Sequence, residues 1–73
     1  MEKVCILGLG YVGLTLAVHA ARSGYEVHGV EILESTRNTI NSGVAPFHEP
    51  EINDLIASQL NKKLFVHEKI PEH

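Results

Sequence analysis

The chain is predicted to adopt an α/β fold with parallel strands, and three observations predict it. Two short apolar runs, Val4-Cys5-Ile6-Leu7 and Val27-His28-Gly29-Val30, flank a helical stretch from Leu14 to Arg22. A glycine-spaced hexamer, Gly8-Leu9-Gly10-Tyr11-Val12-Gly13, joins the first run to that stretch. The second run closes on a carboxylate, Glu31. Two strands around one crossover helix should be parallel, with a right-handed connection.

Each element has its own signal. Lys3 to Leu7 is a near-continuous apolar run, the pattern of a strand covered on both faces. Cys5 lies inside it and is expected to be a buried small hydrophobe rather than a reactive thiol. Tyr11 to Ser23 is apolar on most sides, and Gly24 is a natural helix stop. Its small residues Ala17, Ala20 and Ala21 allow tight packing on a sheet. Glu26 to Val30 is the second strand. Glu34 to Asn41 can form a short helix ended by Ser42-Gly43. Ala45 to Pro50 is a loop, because Pro46 and Pro50 together exclude regular structure. Glu51 to Leu60 spaces Ile52, Leu55, Ile56 and Leu60 as one helical face, with Pro50 and Glu51 suited to its first turn. Leu64 to His67 is the third strand. The expected sheet order is 3-2-1, a partial Rossmann-type fold with the Lys3–Leu7 strand at an edge.

The hexamer carries the functional signal through its position between strand and helix. Gly8 permits a tight turn, Gly10 lets the backbone approach a pyrophosphate, and Gly13 lets the helix lie close on the strand. The helix N-terminus then offers unpaired N–H groups and a positive dipole end to phosphates, and Tyr11 is expected to pack over the cofactor site or the helix start rather than perform chemistry. Glu31 stands near the offset, about 20 residues, expected of the group that accepts hydrogen bonds from adenosine ribose hydroxyls. The implied ligand is a dinucleotide, and a carboxylate there favours NAD over NADP. The glycines alone could also serve a strand–helix connection without a ligand, and Glu31 could be a solvated strand-end charge.

Length and composition bound the rest. Seventy-three residues are about half of what a complete six-stranded dinucleotide fold needs. Residues 1–73 are therefore expected to be the N-terminal part of one such domain, ending before its fourth strand. A net charge of −3 provides no basic footprint for nucleic acid or an anionic membrane. No stretch is long and apolar enough for a membrane span, and Met1-Glu2-Lys3 is a poor secretory leader. The single cysteine suits a reducing cytoplasm. Five histidines, His19, His28, His48, His67 and His73, show no metal-ligand spacing, so no metal site is expected.

Gly8-Leu9-Gly10-Tyr11-Val12-Gly13-Leu14, Gly29-Val30-Glu31-Ile32, Asn41-Ser42-Gly43 and Phe47-His48-Glu49-Pro50 occur in the order and spacing of one family. The chain resembles the N-terminus of the UDP-glucose/GDP-mannose dehydrogenases, most closely the branch acting on UDP-N-acetyl hexosamines. The resemblance implies a cytoplasmic, homo-oligomeric NAD-dependent oxidoreductase of nucleotide-sugar metabolism and polysaccharide biosynthesis. It implies oxidation of a sugar C6 alcohol to a carboxylate by two hydride transfers, using a catalytic cysteine that forms a thiohemiacetal and a thioester. That machinery lies beyond this chain, so no catalytic residue is assigned and the segment alone is expected to be inactive. The cofactor-binding candidates are Gly8, Gly10, Tyr11, Val12, Gly13, Glu31 and Arg37.

Some positions depart from the family pattern. Glu31 replaces the usual Asp and reaches one methylene further. Leu33 replaces a capping Asn, which leaves the next helix poorly capped. Thr36 stands where a basic residue often touches the adenosine, with Arg37 as its neighbour. Thr15 replaces a first-turn proline, and Glu51 replaces the Gly of Glu-Pro-Gly. Two other readings stay open at this level: a stand-alone nucleotide-binding module, and the opening segment of a different NAD-dependent dehydrogenase.

Overall fold

The computed structural model describes residues 2–47 and 49–71. Chain order is β1 (Lys3–Leu7), α1 (Tyr11–Arg22), β2 (Glu26–Val30), α2 (Glu34–Asn41), α3 (Pro50–Gln59) and β3 (Leu64–His67). The strands form one parallel sheet in the order β1-β2-β3, with Cys5 opposite His28 and His28 opposite Phe65. Both strand pairs are joined through helices, as parallel pairing requires.

Punctuation residues set the element ends. Gly24 and Gly43 take positive φ just past α1 and α2, which turns the chain away from the helix axis. Pro50 occupies the first turn of α3, so that helix starts one residue before the predicted Glu51. α2 has Leu33 at its N-cap with no side-chain cap, as the sequence predicts. His48, part of the Phe47–Pro50 motif, lies outside the described residues.

The core occupies one side of the sheet only. Ile6, Val27 and Leu64 from the strands pack with Leu14, Ala17, Val18 and Ala21 of α1, Ile40 of α2, and Ile52 and Ile56 of α3. Two right-handed crossovers running in the same direction across a sheet put their helices on the same face. The opposite face carries Lys3, Cys5 and Leu7, all exposed, beside half-buried Glu26, His28, Phe65 and His67. This corrects two expectations. β1 is covered on one face, not both, and Cys5 is exposed rather than buried. An apolar run reports that a strand suits burial; the handedness of the connections decides which face receives it.

A polar cluster organises the open face. His28 Nε2 lies 2.7 Å from Glu26 Oε2, and His28 Nδ1 lies 2.8 Å from His67 Nε2. The His28 ring stacks on Phe65 at 5.4 Å, and Lys3 Nζ is 3.8 Å from the same Glu26 oxygen. The His28 hydrogen bond, helped by the Lys3 charge, holds the Glu26 carboxyl below the ordinary glutamate value, against a smaller desolvation effect. Among the described residues no three His, Cys, Asp or Glu side chains converge as metal ligands would.

Candidate cofactor site

The site is built at the carboxyl edge of the sheet, where β1 gives way to α1. Gly8 has φ +88°, a conformation that L side chains rarely adopt, and its N–H donates to Val30 O at 2.8 Å. The turn therefore begins tied to β2. Gly10 is the N-cap of α1, has extended backbone and offers no side-chain cap. The first intrahelical bond there runs from Leu14 N–H to Gly10 O. No acidic residue lies in the first turn, while His19 and Arg22 sit in the last. The positive end of the helix thus faces outward without a neutralising side chain.

Gly13 and Gly10 differ in what surrounds them. A Cβ on Gly13 would overlap the Gly8 carbonyl oxygen and lie 3.1 Å from its carbon and 3.6 Å from Ile6 Cγ2. A Cβ on Gly10 would meet nothing within 4 Å. The first glycine closes the turn onto the helix. The second leaves an open approach to the backbone.

Glu31 completes the edge. Its Oε1 accepts the Leu9 N–H at 2.9 Å, and its Oε2 accepts the Leu33 N–H at 3.1 Å. Arg37, one turn into α2, donates through Nη1 to Glu31 O at 2.8 Å and Ile32 O at 3.0 Å. Its guanidinium therefore braces the end of β2. Beside these groups an open apolar cleft of about 470 Å³ runs between Leu7-Gly8, Glu31-Ile32 and Glu68-Lys69-Ile70. Tyr11 is exposed and meets the Phe47 ring edge-on, with centroids 5.1 Å apart. Phe47 belongs to the loop before α3, so that loop borders the helix start.

The structure gathers the predicted residues Gly8, Gly10, Tyr11, Val12, Gly13, Glu31 and Arg37 along this one edge. The Val12 side chain is 75% exposed at the start of α1. The sequence reading missed Lys69 and Ile70. Lys69 lines the same cleft as Glu31. The available signal was topological: in a parallel sheet the residues just past the third strand return to the edge where the first two end. Leu9 was missed as well. It lies between two of the motif glycines and is completely buried.

Comparison with known proteins places the geometry in context. A family model described as "UDP-glucose/GDP-mannose dehydrogenase family, NAD binding domain" matches residues 2–73. The UDP-N-acetyl-D-mannosamine dehydrogenase of Methanococcus vannielii is 41% identical over 63 residues, covering 86% of this chain and 15% of that protein. The enzyme of the same name from Pyrococcus horikoshii is 49% identical over 51 residues, covering 70% of this chain and 12% of its own length. A solved structure of the UDP-D-ManNAc dehydrogenase from Pyrococcus horikoshii superposes with a TM-score of 0.87 at 42% identity. That superposition covers 93% of this chain and 16% of the other. The chain thus spans about a sixth or less of the relatives it matches. With nearly every residue inside the family model and the strand–glycine turn–helix edge in place, the chain belongs to the UDP-glucose/GDP-mannose dehydrogenase family, within its NAD binding domain.

Proposed function

We propose that this chain is the N-terminal cofactor-binding part of a nucleotide-sugar dehydrogenase that oxidises a UDP-sugar to the UDP-uronic acid. The observation that carries the reading is the uncapped start of α1 beside the Glu31 carboxylate, in a chain matched throughout by the family's NAD binding domain. These residues fit the cofactor. The open backbone at Gly10 and the dipole of α1 suit a pyrophosphate, with Gly8 and Gly13 fixing the turn. Glu31 suits the adenosine ribose hydroxyls, and the apolar cleft beside Ile32 and Ile70 suits the adenine. Tyr11 and Val12 contribute backbone at the helix start, and Arg37 holds the β2 end in place.

When bound, NAD supplies the hydride-accepting chemistry, and the residues of this chain orient it. Catalytic groups and the sugar-binding surface belong to the rest of the parent protein, so residues 1–73 alone are inert as a dehydrogenase. The names of the relatives support a UDP-N-acetyl hexosamine as substrate.

Titration of the intact protein with NAD and NADP tests the reading. Glu31 and Glu68 repel a 2′-phosphate, Lys69 opposes them, and the Arg37 Nη1 is already engaged, so NAD should bind at least about ten-fold tighter. Equal affinity for the two cofactors, or none for either, would overturn it.

A further inference from the structure

Resting on that reading of the site, we infer a second task for Glu31: it is a positioning residue that holds the glycine-rich turn in shape before any ligand arrives. The turn from Gly8 to Gly10 has few ways to be rigid, because two of its three residues are glycines. Strand β2 supplies the rigidity at three points. Gly8 N–H donates to Val30 O, and Leu9 N–H donates to Glu31 Oε1. The Leu9 side chain, fully buried, sits over Gly29, where a Cβ would lie 2.8 Å from both Leu9 methyl carbons. Leu9 is thus a peg, Gly29 is its socket, and Glu31 is the latch.

The geometry has a direct consequence for ligand binding. Glu31 Oε2 accepts the Leu33 N–H at the start of α2 while Oε1 accepts Leu9 N–H. One carboxylate therefore joins the turn that faces the phosphates to the segment that borders the adenosine. Each carboxylate oxygen accepts more than one hydrogen bond, so ribose hydroxyls can be bound without releasing Leu9. The extra methylene of Glu relative to Asp lengthens the reach back across to the turn. On this account the contribution of Glu31 to binding has two parts, one through the ribose and one through a preorganised turn.

The test separates those parts, using the intact protein and its Glu31→Ala and Glu31→Gln variants. Amide hydrogen exchange without ligand reads the latch directly, with Val27 in β2 as the internal reference for global opening. In Glu31→Ala, Leu9 and Leu33 should exchange at least about ten-fold faster relative to Val27. Glu31→Gln keeps one acceptor oxygen and should protect one of the two amides. Binding then uses an NAD analogue lacking both adenosine ribose hydroxyls, which cannot report on ribose contacts. Glu31→Ala should weaken its binding about three- to ten-fold, although removing a negative charge beside a pyrophosphate would by itself tighten it. Unchanged Leu9 exchange in both variants, or an analogue that binds Glu31→Ala as tightly as the original protein, would overturn the inference. Failure of the original protein to bind NAD would instead count against the proposed function, and the exchange result would still decide the latch.

Discussion

Alanine at Gly13 and alanine at Gly10 should produce opposite phenotypes, although both glycines belong to one motif. At Gly13 the new methyl would overlap the Gly8 carbonyl oxygen and crowd Gly8 C at 3.1 Å. That neighbour is backbone and cannot swing aside. Gly8 is already fixed by its bond to Val30 O and by a φ of +88°. Either α1 lifts off the sheet, loosening Leu14, Ala17 and Val18 in the core, or the turn deforms. Overpacking typically costs about 1–3 kcal/mol, and with no flexible side chain to yield the upper end, about 3 kcal/mol, is expected. For these 73 residues folding on their own total stability is roughly 4–11 kcal/mol. The midpoint of thermal unfolding should then fall by roughly 12–24 °C, at about 4–8 °C per kcal/mol.

At Gly10 nothing lies within 4 Å of an added Cβ, and the residue has φ −76° and ψ −161°, which alanine adopts without strain. Only the N-cap preference is lost, at about 1 kcal/mol or less. The methyl instead occupies the approach to the turn, so NAD binding should weaken while the fold persists. Thermal melts and NAD titration of both variants give the comparison. A Gly13→Ala midpoint within about 4 °C of the original, or a Gly10→Ala variant destabilised as much as Gly13→Ala, would refute the reasoning.

Two further outcomes follow from the open face and the sheet edge. The Glu26 carboxyl is held below its unfolded value, so its contribution is present above the ordinary glutamate pKa, about 4.3, and is lost as pH falls through the lower folded-state value. Glu26→Gln should flatten that acid limb in denaturation midpoints collected from about pH 6 down to pH 3; identical slopes would remove Glu26 from the account. The 73-residue chain should associate through β1, whose only charge is Lys3, so its sedimentation coefficient should rise with concentration. A monomer at all concentrations, with a melting point unchanged on dilution, would show that the edge is harmless.

Much of this fold is written in its punctuation. Gly24, Gly43 and Pro50 mark the element ends, and the three strands and three helices lie within one residue of where the pattern places them. The glycine turn and Glu31 were legible because each demands a residue type: positive φ at Gly8, contact at Gly13, a carboxylate at the end of the second strand. What escaped depends on register and handedness, which a local pattern does not encode. His28 and His67 are 39 residues apart, and only the parallel pairing of β2 with β3 brings them to 2.8 Å. Lys69 reaches the Glu31 cleft for the same reason. The exposure of Cys5 follows from both helical crossovers lying on one side.

Handedness and strand direction act on different parts of the molecule, and the difference explains where its chemistry collects. Parallel strands bring the loops that follow β1, β2 and β3 to a single edge, so Gly8, Glu31 and Lys69 line one cleft however far apart they lie in sequence. Crossover handedness sends α1 and α3 to one face, which leaves Glu26, His28 and His67 to satisfy one another on the other. The two clusters have different standing for function. The Glu26 cluster spends its hydrogen bonds within the sheet, pairing side chain with side chain across β2 and β3. At the edge, Glu31 and Arg37 bond to backbone and leave the first turn of α1 without a side-chain cap. Side chains that brace backbone beside an open helix N-terminus form an arrangement suited to an anion, and that asymmetry supports the proposed cofactor site at the edge rather than on the open face.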